Sequence, residues 1–304
     1  WAYLKPGVPE GLPCIAFPFY GITEYTNWDT IIERTAPITD DPDYPMDNLC
    51  TIMYTSGTTG MPKGVMHTFY NFAYAAEQAF PLLNIDNRAI FFSYLPMCHI
   101  AERLLIEMGS LYTGGKVSFA ESLDTFPKNL QDTSPTIFLA VPRIWAKFQE
   151  KILEKMPQKK LNTLLSIPII SGIVKKKIRK ALGLSNADQV FSGAAPISTD
   201  LIKWFWKLDI KIQQAYAMTE DCCYSHTNYK DRNKIGTVGL RFPGVDLKFT
   251  EQGEMLVKHP AMMKGYYKEE AMTREVFTED GYFKTGDKAE VDAEGFLKIT
   301  GRVK

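Results

Sequence analysis

The sequence predicts an α/β protein, with parallel-sheet α/β subdomains followed by a small β-rich, barrel-like subdomain. Three observations carry this. From residue 50 to about 216, short apolar, β-prone runs alternate with segments of helical period, the rhythm of a largely parallel sheet covered by helices. After about residue 229 the rhythm changes to short strands separated by Gly turns, which is hairpin chemistry. At the end of the first strand, residues 54–65 (YTSGTTGMPKGV) pack hydroxyls, glycines and one lysine into a single loop. At 304 residues the chain exceeds the usual single-domain size. The expected division is 1–88, the end of a first α/β subdomain with that loop, 89–228, a second α/β subdomain, and 229–304, the β-rich part.

Residues 1–48 are rich in Pro, Gly and Asp and show no sustained period. Cys50–Tyr54 reads as a strand, and about 68–80 as a helix, so the loop is expected to join strand to helix. Strands follow at 90–95, 116–120 and 136–140, with a helix at about 101–111. Pro142 opens a helix that places Ile144, Phe148 and Ile152 on one face and stops before Pro157. Residues 161–174 are the most lipophilic part of the chain, and basic residues flank them on both sides; Pro168 and Gly172 interrupt any long helix. That composition fits a buried segment with a solvated basic flank, and it also fits a peripheral membrane contact through 159–180. Residues 189–192 (QVFS) form a strand ending in the tight turn GAAP, ahead of a helix over 200–208 and a strand over 210–215. The last strands are 245–250, 255–258, 282–284 and 296–300, with turns at Gln252–Gly253, Asp280–Gly281 and Glu294–Gly295.

Composition excludes several classes. Apolar residues make up 45% and charged residues 23%, ordinary for a globular protein. Lys+Arg and Asp+Glu both total 35, so no global field attracts nucleic acid, and no nucleic-acid partner is expected. Five cysteines, none in a CxxC pair, fit a reducing cytosol, with neither a disulfide framework nor a zinc site. No apolar run reaches transmembrane length, and Trp1–Pro6 lacks the regions of a secretory signal. The expectation is a cytoplasmic protein.

Residues 54–65 read as a phosphate cradle. Gly57, Gly60 and Gly64 let backbone N–H groups turn inward, Ser56, Thr58 and Thr59 supply hydroxyls, and Lys63 supplies a point charge. The common nucleotide loop G-x-x-x-x-G-K-S/T is absent, because Gly64 follows Lys63. Other polar motifs sit where strands end, the place where α/β sheets collect ligands. In YAMTE (216–220), Tyr216 offers a face to a purine, Thr219 a hydroxyl to a phosphate and Glu220 a hard oxygen to Mg²⁺. In YFKTGD (282–287), Asp287 can accept from a ribose diol, and in ITGRVK (299–304) Arg302 adds a fork of donors.

In order, YTSGTTGMPKGV, LPMCHIAER (95–103), GAAP (193–196), YAMTE, GTVGLRFPG (236–244), YFKTGD and GFLKITGRVK (295–304) resemble the adenylate-forming (AMP-binding) superfamily, and within it the acyl-CoA synthetases. The resemblance covers roughly residues 45–304. It implies that Ser56, Gly57, Thr58, Thr59, Gly60 and Lys63 manage the pyrophosphate end of ATP, with Thr58, Lys63 and Glu220 taking the catalytic roles. Gly193, Ala194 and Ala195 would line the adenine site with Tyr216, Thr219 would touch the α-phosphate, Glu220 would hold Mg²⁺, and Asp287 and Arg302 would grip the ribose. His99 would stand near the carboxylate and acyl entrance, with a buried histidine bonding backbone as the alternative.

The implied activity is a ligase reaction in two halves: ATP-dependent formation of an acyl-adenylate from a fatty acid, then thioester formation with coenzyme A. LPMCHIAER and residues 140–148 look most like the long-chain branch; medium-chain or aryl-acid ligases and carrier-protein loading are the alternatives, and a non-catalytic nucleotide- or acyl-binding scaffold is the rival of another class. Ala217 departs from the glycine usual in the family. The resemblance also implies a C-terminal domain after a hinge at about residue 304 and more chain before the loop, so the sequence is expected to be the middle portion of a longer protein.

Overall fold

The computed structural model describes residues 11–17, 24–37, 39, 43–56 and 61–303, and residues 1–44 and 45–304 form two compact units. In the first unit, β1 (Ile15–Ala16) and β2 (Thr26–Asn27) pair in parallel. Asn27 caps α1 (Trp28–Arg34), its side chain accepting from the Asp29 N–H at 2.8 Å, and the Trp28 ring stacks on Phe17 at 5.2 Å.

The second unit begins with a hairpin. β3 (Leu49–Ser56) runs antiparallel to β4 (Pro62–Thr68), with Ile52 opposite Met66, Tyr54 opposite Gly64 and Thr55 opposite Lys63. The loop therefore joins strand to strand, which corrects the strand-to-helix expectation. Val65 and His67 alternate inward with the period of two that a strand imposes, and their own pairing partners, Met53 and Thr51, lie 12 and 16 residues back along the chain, out of reach of a local pattern. Gly64 is required by close approach: a Cβ there would sit 2.9 Å from the Ile52 side chain.

Thr68 ends β4 and caps α2 (Phe69–Leu82) in a capping box with Asn71, whose side chain accepts from the Thr68 N–H at 2.9 Å. Phe72, Ala75, Ala76, Ala79 and Phe80 form its buried stripe at 3.6-residue spacing. β5 (Ile90–Ser93) is followed by a wide-turned π-helical stretch, Glu102–Met108, that tightens into α3 (Gly109–Thr113). β6 (Lys116–Phe119) pairs in parallel with β5. After α4 (Phe126–Thr133) comes β7 (Ile137–Ala140), and Thr136 just before it bonds both backbone groups of Ile90, bringing β5 beside β7.

α5 (Pro142–Lys155) buries Trp145 and Phe148, and the Trp145 indole N–H donates to the Ala140 carbonyl at 3.2 Å. The lipophilic stretch folds as a helical corner, α6 (Gln158–Leu165) and α7 (Pro168–Ala181), with Pro168 in the first turn of α7 and Gly172 inside it. β8 (Gln189–Ser192), α8 (Thr199–Trp206) and β9 (Gln213–Tyr216) follow, and β7, β8 and β9 are parallel neighbours. β10 (His226–Thr227) and β11 (Leu240–Arg241) extend that sheet antiparallel, in the order β11-β10-β9-β8-β7.

The C-terminal strands β12 (Asp246–Phe249), β13 (Glu254–Lys258), β15 (Phe283–Val291) and β16 (Leu297–Arg302) form an antiparallel sheet in the order β12-β13-β15-β16. It is β-rich as expected, and open rather than closed into a barrel, because the outer strands β12 and β16 do not pair with each other. Turns fall at Gln252–Gly253 and Glu294–Gly295, each closed by the glycine N–H. Between β13 and β15 lie β14 (Gly265–Tyr266), which returns to pair with β4, and α9 (Glu270–Val276). Neither has a counterpart in the sequence reading.

Candidate active site

Because β8 and β9 are parallel neighbours, their C-terminal ends open on one edge, where α/β sheets bind ligands. Gly193, Ala194 and Ala195 leave β8 there, with Ala194 and Ala195 exposed and Ala194 in the left-handed region at φ 66°. Tyr216 ends β9 beside them. Its hydroxyl donates to Asp287 Oδ2 at 2.6 Å, and burial first, then this bond, pushes the hydroxyl's pKa far above the ordinary tyrosine range. Asp287, 5% exposed, also meets Arg302 Nε at 3.0 Å through Oδ1, since the two residues face each other in the β15–β16 register. Tyr216, Asp287 and Arg302 are thus one cluster.

A second cluster stands on the turn after β9. The Glu220 Oε1 accepts from the Tyr266 hydroxyl at 2.9 Å, and the Glu220 carbonyl accepts from the Met263 N–H at 2.8 Å. Lys63 Nζ lies 5.2 Å from the centroid of the same Tyr266 ring, within cation–π range. So one tyrosine holds a carboxylate at its hydroxyl and an ammonium over its face. Below them the Nε2–H of buried His67 donates to the Thr219 carbonyl at 2.7 Å. A carbonyl only accepts, so Nε2 carries a proton, and burial lowers the ring's pKa.

The turn itself is tight. Asp221 is fully buried and takes the Met218 N–H at 2.9 Å, while burial pushes its carboxyl up to about 8. Cys222 and Cys223 are consecutive non-glycine residues at φ 55° and 54°, a conformation that costs energy and is over-represented at functional sites.

Of the residues singled out in the sequence, Lys63, Tyr216, Thr219, Glu220, Asp287 and Arg302 come together at this edge. His99 does not join them: it is exposed on the turn after β5, so it is not the buried histidine of the alternative reading. Ser56 is the last residue of β3, and Gly57, Thr58, Thr59 and Gly60 lie outside the described residues. Tyr266, His67 and Asp221 went unremarked in the sequence. The one signal for Asp221 was its place between Glu220 and two apolar cysteines; Tyr266 and His67 gave none.

The fit to a nucleotide and Mg²⁺ rests on donors and acceptors that remain available. Glu220 is half-buried and, among the described residues, only its Oε1 is hydrogen-bonded, which suits Mg²⁺, an ion held by one or two carboxylates plus substrate phosphates. Asp287 spends one acceptor position on each oxygen and keeps others.

Solved structures share this arrangement of strands. The N-terminal domain of FACL13 from Mycobacterium tuberculosis, in an inhibitor-bound crystal structure, matches 91% of this chain and 67% of its own, with TM-score 0.71 and 26% identity. ATP-bound MatB from Rhodopseudomonas palustris matches 86% and 49%, with TM-score 0.70 and 26% identity. o-Succinylbenzoate CoA synthetase (MenE) from Bacillus subtilis, holding its acyl-adenylate, matches 92% and 55%, with TM-score 0.71 and 25% identity. The fold class is that of the adenylate-forming enzymes.

The profile of the AMP-binding enzyme family matches residues 15–267, and the chain belongs to that family. Among curated relatives, long-chain-fatty-acid–CoA ligase ACSBG2 of Xenopus laevis is 32% identical over 87% of this chain and 42% of its own length. Fatty acyl-CoA synthetase B of Dictyostelium discoideum is 30% identical over 93% and 47%. The chain spans less than half the length of each of these two relatives.

Proposed function

We propose that the protein carrying this chain activates a fatty acid with ATP, forming an acyl-adenylate and pyrophosphate, and then transfers the acyl group to coenzyme A, with a long acyl chain as the preferred substrate. The single observation behind this reading is the joining of the two clusters by the 216–220 segment. It sets sugar-type partners (Asp287, Arg302) at one end and phosphate-type partners (Thr219, Glu220, Lys63) at the other. The names of the curated relatives support the fatty acyl substrate.

In this reading Asp287 and Arg302 hold the ribose, the backbone of Gly193–Ala195 and the ring of Tyr216 hold the adenine, and Thr219 meets the α-phosphate. Lys63, together with Ser56, Gly57, Thr58, Thr59 and Gly60, faces the outer phosphates. Glu220 would hold Mg²⁺, which supplies positive charge to the phosphate oxygens when bound. His99 stands toward the acyl entrance. The chain's own contribution is positioning and charge neutralisation: it holds the carboxylate oxygen and the α-phosphorus in line and places donors where negative charge grows. The division into 1–88, 89–228 and 229–304 belongs to the same proposal, with the acyl and adenine sites in the middle part.

The test is AMP release across carboxylic acids of increasing chain length, with and without coenzyme A. A maximum at long chains with thioester as product supports the proposal. A maximum at short or aromatic acids removes the long-chain part, and no AMP with any acid removes the whole.

A further inference from the structure

Between Glu154 and Asp188 the chain carries eight basic side chains and no acidic one, although its total charge is zero. Two of these are engaged: Lys175 pairs with Asp209 at 3.1 Å, and Arg179 donates to the carbonyls of Leu184 and Ser185. Lys159, Lys160, Lys176, Lys177 and Lys180 are exposed and have no ion-pair partner among the described residues. They lie at the start of α6 and along the second half of α7.

α7 has two apolar stripes, and the core uses one. Ser171, Val174 and Ile178 are buried. On the outer side, Ile169, Gly172, Ile173, Lys176, Lys177 and Lys180 follow one another at intervals of three and one, which is a single helix face. Ile169 is 82% exposed and Ile173 52%, and Ile167 at the corner is 41% exposed. The face is graded, aliphatic toward Pro168 and basic toward Ala181. Isolated exposed isoleucines need no explanation, but three within seven residues, at the start of a helix whose far half carries lysines without an ion-pair partner among the described residues, form an apolar patch with a basic border.

We propose that the α6–α7 corner docks on the surface of an anionic lipid bilayer. Ile167, Ile169 and Ile173 enter the boundary between headgroups and acyl chains, and Lys176, Lys177 and Lys180, with Lys159 and Lys160, lie against lipid phosphates. The chemistry of the patch selects a bilayer over an acidic protein. Lysine is depleted from protein interfaces, and the corner has none of the aromatic or arginine anchors that concentrate binding energy there. Among the described residues no helix is long and apolar enough to cross a membrane, so the contact is made from one side. The inference is independent of the acyl substrate.

The experiment is co-sedimentation of the protein with vesicles of phosphatidylcholine alone and of phosphatidylcholine with phosphatidylserine at about one part in three. Binding to the anionic vesicles, lost at high salt, is expected. At about fivefold per lysine, Lys176→Gln, Lys177→Gln and Lys180→Gln together lower partitioning about 100-fold. Ile169→Ser with Ile173→Ser weakens binding even at low salt, where charge alone would hold the protein. All five positions are exposed, so an unchanged thermal midpoint certifies each variant. Equal sedimentation with both vesicle types, or binding indifferent to the lysine changes, overturns the proposal. Loss with the lysine variant alone overturns insertion by the isoleucines. Retention on polyglutamate without vesicle binding shows an acidic protein surface to be the partner, and overturns the proposal too.

Discussion

Stability is expected to peak near pH 6.5 and to fall toward pH 8, and one carboxyl causes the fall. Asp221 is fully buried, and its Oδ2 has no hydrogen-bond partner. Burial pushes the carboxyl from the ordinary 3.8 up to about 8, so the folded chain keeps a proton that the unfolded chain releases near pH 4. Buried imidazoles act in the opposite sense: burial pushes His226 and His259 from 6.5 down to about 3, and lowers His67. From pH 4 to 6.5, unfolding takes up one proton at each of His226 and His259 and releases one from Asp221, a net uptake of one, and His67 acts in the same sense as the other two rings. Stability there rises with pH, by roughly 1.4 kcal/mol per unit from His226, His259 and Asp221. Above 6.5 the rings of the unfolded chain lose their protons in turn, and the proton that Asp221 releases on unfolding outweighs them. Stability then falls, by at most roughly 1.4 kcal/mol per unit. The Asp280 carboxyl, held at about 2, and the Cys223 thiol, pushed up to about 12 from 9.0, lie outside this window, while the Glu102 carboxyl, raised by burial, acts in the same sense as Asp221. Asp221→Asn keeps an acceptor for the Met218 N–H and cannot ionise, so its curve should lose the falling limb between 6.5 and 8. The assay is the urea midpoint against pH at constant m. A parent curve flat or rising across that interval, or a variant that keeps the falling limb, refutes the reasoning.

Three further outcomes are expected. Tyr266→Phe keeps the ring under Lys63 and removes the donor to Glu220; Mg²⁺-dependent ATP binding should weaken about tenfold by calorimetry, and an equal loss without Mg²⁺ would contradict the assigned role of Glu220. Tyr216→Phe leaves buried Asp287 with one partner fewer and should cost about 1–2 kcal/mol in urea unfolding; an unchanged midpoint would deny the bond. Gly239→Ala puts a Cβ 2.0 Å from the Thr227 carbonyl at φ +92°, against backbone that cannot move aside, and should cost about 3 kcal/mol or more by thermal melt.

Where local pattern and final environment agree, the sequence is legible. QVFS is four β-prone residues bounded by a tight turn, and it is β8 to the residue; α5 begins at Pro142 and ends before Pro157, because proline suits a first turn and not an interior. β4 was hidden because PKGVMHT is short, opens on proline and runs straight into α2. Its identity as a strand depends on β3 on one side and on β14, some two hundred residues later, on the other. The expected helix at 101–111 is present, but its widening over Glu102–Met108 leaves no periodic signature. In the candidate site, the residues that carry charge or an aromatic face within a motif were identifiable. Those that hold them in place, Tyr266, His67 and Asp221, act across the fold and carry no mark in the chain.

The position of Glu220 is therefore a tertiary property. The left-handed pair Cys222–Cys223 costs about 1 kcal/mol or more for each residue, and nothing in YAMTE would hold that turn by itself. It is held by burial of Asp221, Cys222 and Tyr224 below, by the His67 bond to the Thr219 carbonyl at one side and by the Met263 bond to the Glu220 carbonyl at the other. His67 belongs to the strand that carries Lys63, and Tyr266, paired with that strand, reaches the Glu220 carboxylate. The lysine and the carboxylate are thus attached to one hairpin at two separate points. A shift of the hairpin moves both charges together and preserves their spacing, as the proposed grip of Lys63 and Glu220 on one phosphate chain requires.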